Sequence, residues 1–363
     1  HTRAVCPYAC LPMRWLHLYR PRLPSHRAQS IQVLRTCHAL ASIGQEVTIL
    51  ADKGPGPDPM AGMGIQALPN LRLQRAPFPH PGLAGVWFRK ELRRWWKGPP
   101  GVIIARDKRR LLKAIEQWGL NGHRLVLETH ELDSQTSAHP NHDWFNVEQR
   151  CLAHADALVA NCGGTLRAWQ THHEFNKQAV GVVHNATHIE YENIPTPPAK
   201  TSMLVLGSMR ANKGVQFILD SAANLPCPLH WVGGTPEERV LAQANPHVLL
   251  RPAVNHEQVA STLAKAAILL LPLGQNAFSH QYTSPLKLWD YLATNKAIVA
   301  ADTPAIKEIS HLAGTTFHLY TPENEQSLQQ AVRAALHAPA RTPYKRRWSD
   351  RARELVDIVE ALP

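Results

Sequence analysis

Short apolar strands alternate with amphipathic helices twice along this chain of 363 residues, and the two series are separated by the proline-rich stretch IPTPPAKT. The first series begins with a strand at Trp15–Tyr19, a helix at Ile31–Ile43 and a strand at Glu46–Ala51. The second begins at Met203–Leu206. A strand–helix–strand unit predicts a parallel sheet covered by helices. The restart therefore predicts two α/β domains.

This pattern predicts the domain limits. We expect residues 1–12 to be a disordered or upstream extension and 13–193 to form the first domain. Residues 194–201 are the predicted linker, because prolines punctuate that stretch. Residues 202–345 form the second predicted domain, and an amphipathic helix lies within 346–363.

Positive charge is concentrated in the first part of the chain. Residues 1–110 hold 18 Lys and Arg against 5 Asp and Glu, while the whole chain carries a net +11. This excess predicts an anionic partner, and a membrane surface, a phospholipid-linked acceptor and nucleic acid all fit it. No apolar run approaches the ~20 residues of a membrane span. Six scattered cysteines without zinc spacing are consistent with reduced thiols, so we expect a cytoplasmic protein.

One stretch, TSPLKLWDYLATNKAIVAADTPAIKEI at residues 283–309, predicts a phosphate site. Ser284 is a good N-cap residue, and Pro285 suits the first position of a helix. Free N–H groups and the positive end of the helix dipole favour a phosphate at such a start. Asp290 follows one turn and a half later, within reach of sugar hydroxyls on the same ligand. The stretch therefore predicts a cradle for a nucleoside diphosphate.

The same stretch resembles the donor-binding signature of the retaining group 1 (family four) glycosyltransferases. The resemblance extends over about residues 14–362 and is stronger in the second domain. It implies the GT-B architecture: two facing Rossmann-like domains, an interdomain cleft, and a last helix that returns to the first domain. It also implies a nucleotide-sugar donor, most simply a UDP- or GDP-sugar, in the second domain and an anionic or lipid-linked acceptor in the first. No cofactor or metal is expected, since the chain lacks an Asp-x-Asp sequence.

The resemblance assigns donor-binding roles, with two departures. LVLGSMRANKGV, at 204–215, is similar to the family's Gly-Arg-x-x-x-x-Lys-Gly, in which both cations clamp the diphosphate. Lys213 matches, but Ser208 stands at the arginine position, and Arg210 is a possible substitute two residues later. Asp290 matches the acid that holds the ribose, whereas Tyr282 occupies the position of the family's first acid.

Further residues complete the predicted site. His130, after the strand in RLVLETHELD, matches a family histidine that contacts the donor sugar, and Glu128 and Glu131 beside it are not assignable as a base. Lys287 fits either an added charge or a surface lysine. The predicted catalytic residues are thus His130, Lys213 and Asp290. The predicted donor-binding residues are Ser208, Arg210, Val254, Tyr282, Thr283, Ser284, Pro285 and Leu286.

The basic first domain supplies the predicted acceptor and membrane contacts. The acceptor-binding candidates are Arg20, Arg22, Arg27 and Arg106. GVWFRKELRRWWKG, at 85–98, interleaves rings and cations as lipid-headgroup surfaces do, although the same mixture fits single-stranded nucleic acid or a helix with one face in the core. No nucleic-acid-binding motif accompanies it, so we expect peripheral contact with the inner membrane face. The membrane candidates are Trp87, Arg93, Arg94, Trp95 and Trp96.

Two other functions stay open on the sequence alone. A nucleotide-sugar epimerase or hydrolase can share this architecture, but it needs acid–base groups near the sugar, of which the chain offers few. A non-catalytic relative that only binds a nucleotide-sugar is the other alternative, because Ser208 and Tyr282 depart from the family pattern. Release of nucleoside diphosphate without acceptor separates an enzyme from a binder.

Overall fold

The computed structural model contains two parallel sheets, each within its own α/β domain. The predicted linker and nearly all of the predicted N-terminal extension lie outside the described residues. The structure describes residues 12–25, 27–137, 143–176, 179–190, 202–210 and 213–363.

The first sheet has the strand order β2-β3-β1-β5-β6-β7-β8, with β4 paired to β3, and every pair is parallel. Its strands are β1 (Arg14–Leu18), β2 (Arg22–Leu23), β3 (Glu46–Lys53), β4 (Leu71–Arg75), β5 (Val102–Ala105), β6 (Arg124–Thr129), β7 (Ala157–Ala160) and β8 (Ala179–Val182). The helices of this domain are α1 (Ala28–Ser42), α2 (Pro81–Trp96), α3 (Lys108–Trp118), α4 (Asp133–Thr136), α5 (Trp144–His154) and α6 (Gly163–His172).

The second sheet has the order β11-β10-β9-β12-β13-β14, again with parallel pairs. Its strands are β9 (Met203–Leu206), β10 (Leu229–Val232), β11 (Val248–Arg251), β12 (Ile268–Leu271), β13 (Ala297–Ala301) and β14 (His318–Tyr320). The remaining helices are α7 (Val215–Ser221), α8 (Pro236–Gln243), α9 (His256–Leu263), α10 (Ala277–Gln281), α11 (Leu286–Leu292), α12 (Pro304–Leu312), α13 (Glu325–Leu336) and α14 (Trp348–Glu360).

The last helix, α14, returns to the first domain as predicted. Trp348, Ala352 and Leu355 belong to the core cluster that α1 forms with one face of the first sheet. The opposite face of that sheet packs against α2, α3 and α5. Burial of large apolar side chains at ~25 cal/mol per Å² therefore ties the end of the chain to its beginning.

Helix α2 contains the predicted membrane segment, and here the sequence interpretation is partly wrong. Trp96 is fully buried and its indole N–H donates to the carbonyl of Gly119 over 2.7 Å. Trp95 is also buried and stacks on His123 with ring centroids 4.9 Å apart. These rings cannot contact lipid, because the helix uses its aromatic face to cover the sheet. Trp87 is half-buried against the same core.

The outer face of α2 keeps the predicted cations. Arg93 and Arg94 are exposed, and so are the apolar side chains of Leu83 and Val86 nearer its start. Among the described helices, none combines the length and apolarity needed to cross a bilayer.

Candidate active site

Both sheets have the topology that places ligands at one edge. In each, the chain moves outward from a first strand and then returns to its other side: β1 lies between β3 and β5, and β9 between β10 and β12. Ligands of doubly wound sheets bind beyond the carboxyl ends of the strands at this reversal. The loops after β1, β5, β6 and β9 are therefore the places to look for chemistry.

A tight turn follows β9 at Gly207–Arg210, here called the β9 turn. Gly207 has φ +124°, a conformation that side chains other than glycine rarely adopt. The carboxylate of Glu238 accepts from the Met209 N–H over 2.9 Å and anchors the turn from α8. Lys213 reaches back, and its Nζ donates to Oγ of Ser208 over 2.7 Å. The turn therefore presents a cation and a hydroxyl at the reversal point.

A second lysine, Lys287 of α11, reaches the same turn with its side chain. A Cβ added to Gly207 would come within 2.7 Å of Nζ of Lys287, so the ammonium stands directly over the glycine. Burial and the nearby charge of Lys213 lower the pKa of Lys287 to about 7. The pKa of Lys213 is lowered too, first by burial and then by Arg210. The predicted substitute cation Arg210 instead faces Glu238 at 3.6 Å, with its side chain 58% exposed.

The predicted phosphate-binding helix start differs in detail. Helix α11 begins at Leu286, and Pro285 occupies the N-cap position without a side-chain cap. The prediction that Ser284 caps this helix is wrong: its Oγ accepts from the indole of Trp289 over 3.2 Å. Its carbonyl accepts from the amide of Asn185 over 2.6 Å. Ser284 thus joins α11 to the segment that leads out of the first domain.

Asp290 also lies at the junction between the domains. Its Oδ1 accepts from the hydroxyl of Thr187 over 2.6 Å, and Nδ1 of His188 lies 3.9 Å away. Burial raises the pKa of Asp290, while His188 and Thr187 oppose that change. Its role in ribose binding stays a prediction.

Tyr282, at the position of the absent acid, is a contact between domains. Its side chain is 1% exposed and packs in the core of the first domain. Its hydroxyl donates to the side-chain carbonyl of Gln135, and its backbone carbonyl accepts from Asn161 over 2.8 Å. Burial raises the pKa of this phenol, so it stays neutral. The position therefore carries no negative charge.

The other predicted donor-binding residues are apolar or buried. Thr283 is buried, and Pro285 is half-buried beside it. Leu286 packs against the core of the first domain, whereas Val254 packs against that of the second.

His130 lines a cavity of about 450 Å³ at the carboxyl edge of the first sheet. Burial, and then the charge of Arg106, lowers the pKa of His130 to about 4, so its imidazole is neutral near pH 7. Arg106, predicted to bind acceptor, lines the same cavity. Its guanidinium donates to Oε1 of Gln32 over 3.2 Å and lies 5.3 Å from the ring of Tyr19.

The carboxylate below His130 is saturated. Glu128 is fully buried and accepts from Gln32 over 2.9 Å and from the guanidinium of Arg351. Nε2 of His17 lies 3.1 Å from the other oxygen, Oε2, and Nε2 of His130 lies 3.3 Å from Oε1 without hydrogen-bond geometry. Burial alone would raise the Glu128 pKa, but Arg351, His130 and His17 hold it well below its ordinary value. Glu128 is therefore a fixed charge and a poor proton acceptor.

A second cavity of about 590 Å³ opens between α2 and α3. Arg20 lines it and pairs with Asp52 at 2.7 Å. Arg110 and Lys113 line both cavities, so the two spaces are neighbours.

Arg22 and Arg27 line neither cavity. Arg22 donates to the carbonyl of Lys53 over 3.3 Å, and Arg27 is the exposed N-cap residue of α1. Of the four arginines predicted to bind acceptor, the structure brings only Arg106 together with His130.

Two family descriptions match the chain. Glycosyl transferases group 1 matches residues 200–338, and Glycosyltransferase Family 4 matches residues 29–191. The chain is a group 1 glycosyltransferase. The match to both domains confirms the family and the two-domain GT-B fold predicted from the sequence. No curated protein is significantly similar in sequence to this glycosyltransferase.

Several solved structures share the fold of this glycosyltransferase. Sucrose-phosphate synthase from Thermosynechococcus elongatus superposes with a TM-score of 0.69 at 17% identity, over 96% of this chain and 94% of that one. HepE from Anabaena, in complex with UDP and glucose, gives 0.68 at 12% identity over 96% and 100%. WaaG, a glycosyltransferase involved in lipopolysaccharide biosynthesis, gives 0.60 at 16% identity over 95% of each chain.

Sequence reasoning missed two features of this glycosyltransferase. The sequence does not decide between an added charge and a surface lysine at Lys287, although the Ser-Pro-Leu-Lys run that ends three residues before Asp290 is a usable signal. The pairing of Glu128 with Arg351 had no local signal, because 223 residues separate the two. Within the described ranges, no three His, Cys, Asp or Glu side chains are arranged to hold a metal ion.

Proposed function

We propose that this glycosyltransferase moves a hexosyl group from a nucleotide-diphosphate sugar to an anionic or lipid-linked glycan acceptor, with retention and without a metal. This proposal is supported by the β9 turn, where Lys213 lies at the strand reversal and donates to the hydroxyl of Ser208. A fixed cation there can stabilise the charge that grows on a departing diphosphate. A UDP-sugar is the favoured donor, because the similar HepE holds UDP and glucose.

The proposed transfer step needs no protein group as a base. The bond between the sugar C1 and the diphosphate oxygen breaks, and its electron pair stays on the phosphate. The acceptor oxygen forms the new bond to C1 on the same face, and its proton passes to a phosphate oxygen. Glu128 cannot take that proton readily, because Arg351 and Gln32 already donate to it. This supports the retaining course.

His130 orients the donor sugar in this scheme. With its pKa lowered to about 4, the ring is neutral near pH 7 and can hydrogen-bond a hydroxyl without adding charge.

The acceptor occupies the two neighbouring cavities of the first domain. Arg106 lines the inner cavity, Arg20 the outer one, and Arg110 and Lys113 line both. Such a series of cations suits phosphate or carboxylate groups along an acceptor. WaaG, which shares the fold, is involved in lipopolysaccharide biosynthesis, and this supports an anionic glycolipid as the acceptor class.

The outer face of α2 then rests on the cytoplasmic membrane surface. Leu83 and Val86 are exposed near its start, and Arg93 and Arg94 are exposed near its end. Apolar side chains beside cations on one helix are typical of an interfacial contact with anionic lipid. The contact is made by these residues rather than by Trp95 and Trp96, which belong to the core.

The test is calorimetric titration of UDP, GDP, ADP and dTDP in the presence of a chelator, followed by turnover of the matching nucleotide-sugar. Tight binding of one nucleotide in chelator supports a metal-independent donor site. Proton NMR of the product then reads the anomeric configuration. Inversion at C1 would contradict the retaining course, and a requirement for a divalent ion would contradict metal independence.

The same assays separate the two alternative functions. A neutral, buried Tyr282 at the position of the absent acid is the observation that favours a non-catalytic nucleotide-sugar-binding protein. Nucleotide binding without release of nucleoside diphosphate from the nucleotide-sugar, with or without acceptor, would support a non-catalytic binding protein. Isomerisation of the sugar without release would indicate an epimerase.

A further inference from the structure

The β9 turn lacks the second cation that the family pattern places there. Ser208 stands at the arginine position, and its hydroxyl accepts from Lys213. Arg210 does not fill the gap, because its exposed side chain faces the carboxylate of Glu238. A diphosphate leaving group gains negative charge on several oxygens, so one lysine leaves part of that charge uncompensated.

Lys287 stands where the missing charge is needed. Its Nζ is close enough to Gly207 that a methyl group there would lie 2.7 Å away. It approaches from α11, whereas Lys213 approaches from the segment before α7. The two ammonium groups therefore reach the β9 turn from different elements, and their charges act on each other.

We propose that Lys287 is the second diphosphate-binding cation of this glycosyltransferase and replaces the arginine absent at Ser208. Because Gly207 has no side chain, there is room beside it for the Lys287 ammonium to contact a phosphate oxygen. This inference rests on the proposed nucleotide-sugar donor, since it concerns how that donor's diphosphate is held.

The charges around Lys287 agree with an anion at this place. In the described part of the chain, no carboxylate forms an ion pair with Lys287, and its pKa is affected by the charge of Lys213. Glu238 is engaged by the Met209 N–H and lies beside Arg210. Without a ligand, two lysines repel each other in a desolvated turn. A diphosphate between them removes the repulsion.

If Lys287 served only to stabilise the fold, its removal should lower the thermal midpoint of unfolding. A half-buried ammonium with no anionic partner costs free energy of folding rather than supplying it. Lys287→Met should therefore leave the thermal midpoint unchanged or raise it. If Lys287 were a surface lysine without function, Lys287→Met would give the same thermal midpoint but would not affect phosphate binding. Phosphate binding therefore distinguishes a diphosphate-binding lysine from a surface lysine.

The experiment titrates the full chain with UDP and with uridine, which lacks phosphate. The variants are Lys287→Met, Lys287→Arg and the double variant Ser208→Arg/Lys287→Met, which returns an arginine to the family position. Lys265→Met, a lysine-to-methionine change at an exposed position in the same domain, is the matched control.

We expect Lys287→Met to weaken UDP binding roughly 10- to 100-fold, the size of one charge-assisted contact, and to leave uridine binding unchanged. Lys287→Arg and the double variant should recover most of the loss. Equal UDP affinity of the wild type and Lys287→Met would overturn the inference while leaving the donor site intact. If the wild type itself binds no nucleoside diphosphate, that result contradicts the proposed function rather than the role of Lys287 alone.

Proton uptake gives an independent readout. A diphosphate favours the charged lysine, so UDP binding at pH 8 should take up protons, measured from the binding heat in buffers of different ionisation enthalpy. Lys287→Met should take up fewer protons than the wild type. The same uptake in both would contradict a contact between Lys287 and the diphosphate.

Discussion

The two sides of the candidate site differ in whether their buried charged groups have partners of opposite charge. In the first domain, Glu128 is surrounded by donors before any ligand arrives, among them Arg351 and Gln32. In the second domain, the side chains of Lys213 and Lys287 both reach the β9 turn, and Lys287 has no anionic partner in the described part of the chain. The first arrangement is already compensated within the folded protein, whereas in the proposed donor complex an anion completes the second.

Under the proposed function, the second domain binds the donor phosphates, and the paired charges of the first domain form a fixed scaffold. Paired charges in a low dielectric keep their geometry and contribute little attraction to a ligand. Repelling cations carry a cost that an anionic ligand relieves. Mutations in the first domain should therefore act mainly on stability, and mutations at the β9 turn mainly on affinity.

The largest expected effect is on stability, at Arg351. Arg351→Met leaves Glu128 as a buried carboxylate without its guanidinium, and should lower the free energy of unfolding by ~3–5 kcal/mol. Urea denaturation measures it. Arg353→Met, on the same helix but 62% exposed, should change stability by less than ~0.5 kcal/mol. Equal effects of the two variants on the free energy of unfolding would contradict a larger contribution from the buried Arg351–Glu128 pair.

The second effect is a loss of stability in acid caused by His130. Its pKa is about 4 in the folded protein against an ordinary 6.5, so between these values the unfolded chain binds more protons. Stability is therefore full above pH 6.5 and falls as the pH drops towards 4, by up to about 3 kcal/mol from this group.

The measurement for His130 is the free energy of unfolding from urea denaturation at pH values from 7 to 4. His130→Gln should flatten this dependence, whereas His311→Gln, at an exposed position, should not. An unchanged dependence in His130→Gln would mean that this imidazole is not desolvated in solution.

The third effect tests the other side of the comparison. Lys213→Met should weaken UDP binding by ~1.5–3 kcal/mol, because a charge-assisted hydrogen bond is lost, with little change in the free energy of unfolding. Calorimetry and urea denaturation of the same samples give both numbers. A large loss of stability with unchanged affinity would place Lys213 in the scaffold and erase the contrast between the two sides.

The smallest effect per residue is expected on the surface of α2. Arg93→Ala and Arg94→Ala should each weaken binding to anionic vesicles by ~1 kcal/mol, and added salt should reduce the difference. Arg333→Ala, an exposed change in the second domain, is the control in a vesicle sedimentation assay. Binding to single-stranded oligonucleotides in place of vesicles would contradict the membrane contact.

Much of the fold was predictable because strands and helices leave a local record. The strand at 203–206 occurs where the sequence predicts it, and the uninterrupted apolar runs at 157–160 and 268–271 also form strands. Strand β3 runs two residues beyond its prediction, since Asp52 and Lys53 pair with β2, which local patterns do not reveal. β14 and α13 were not predicted, although Asn324 caps α13 through the Ser327 N–H.

The site was predictable only in part, for the same physical reason. The sequence by itself determined the two α/β domains, the family and the candidate roles of Lys213 and His130, because these follow from short runs of neighbouring residues. Only the tertiary structure decided that Trp96 faces the core, that Arg351 neutralises Glu128 and that Lys287 stands over Gly207. Burial and electrostatic pairing depend on which distant segments meet, and that is fixed by packing rather than by spacing along the chain.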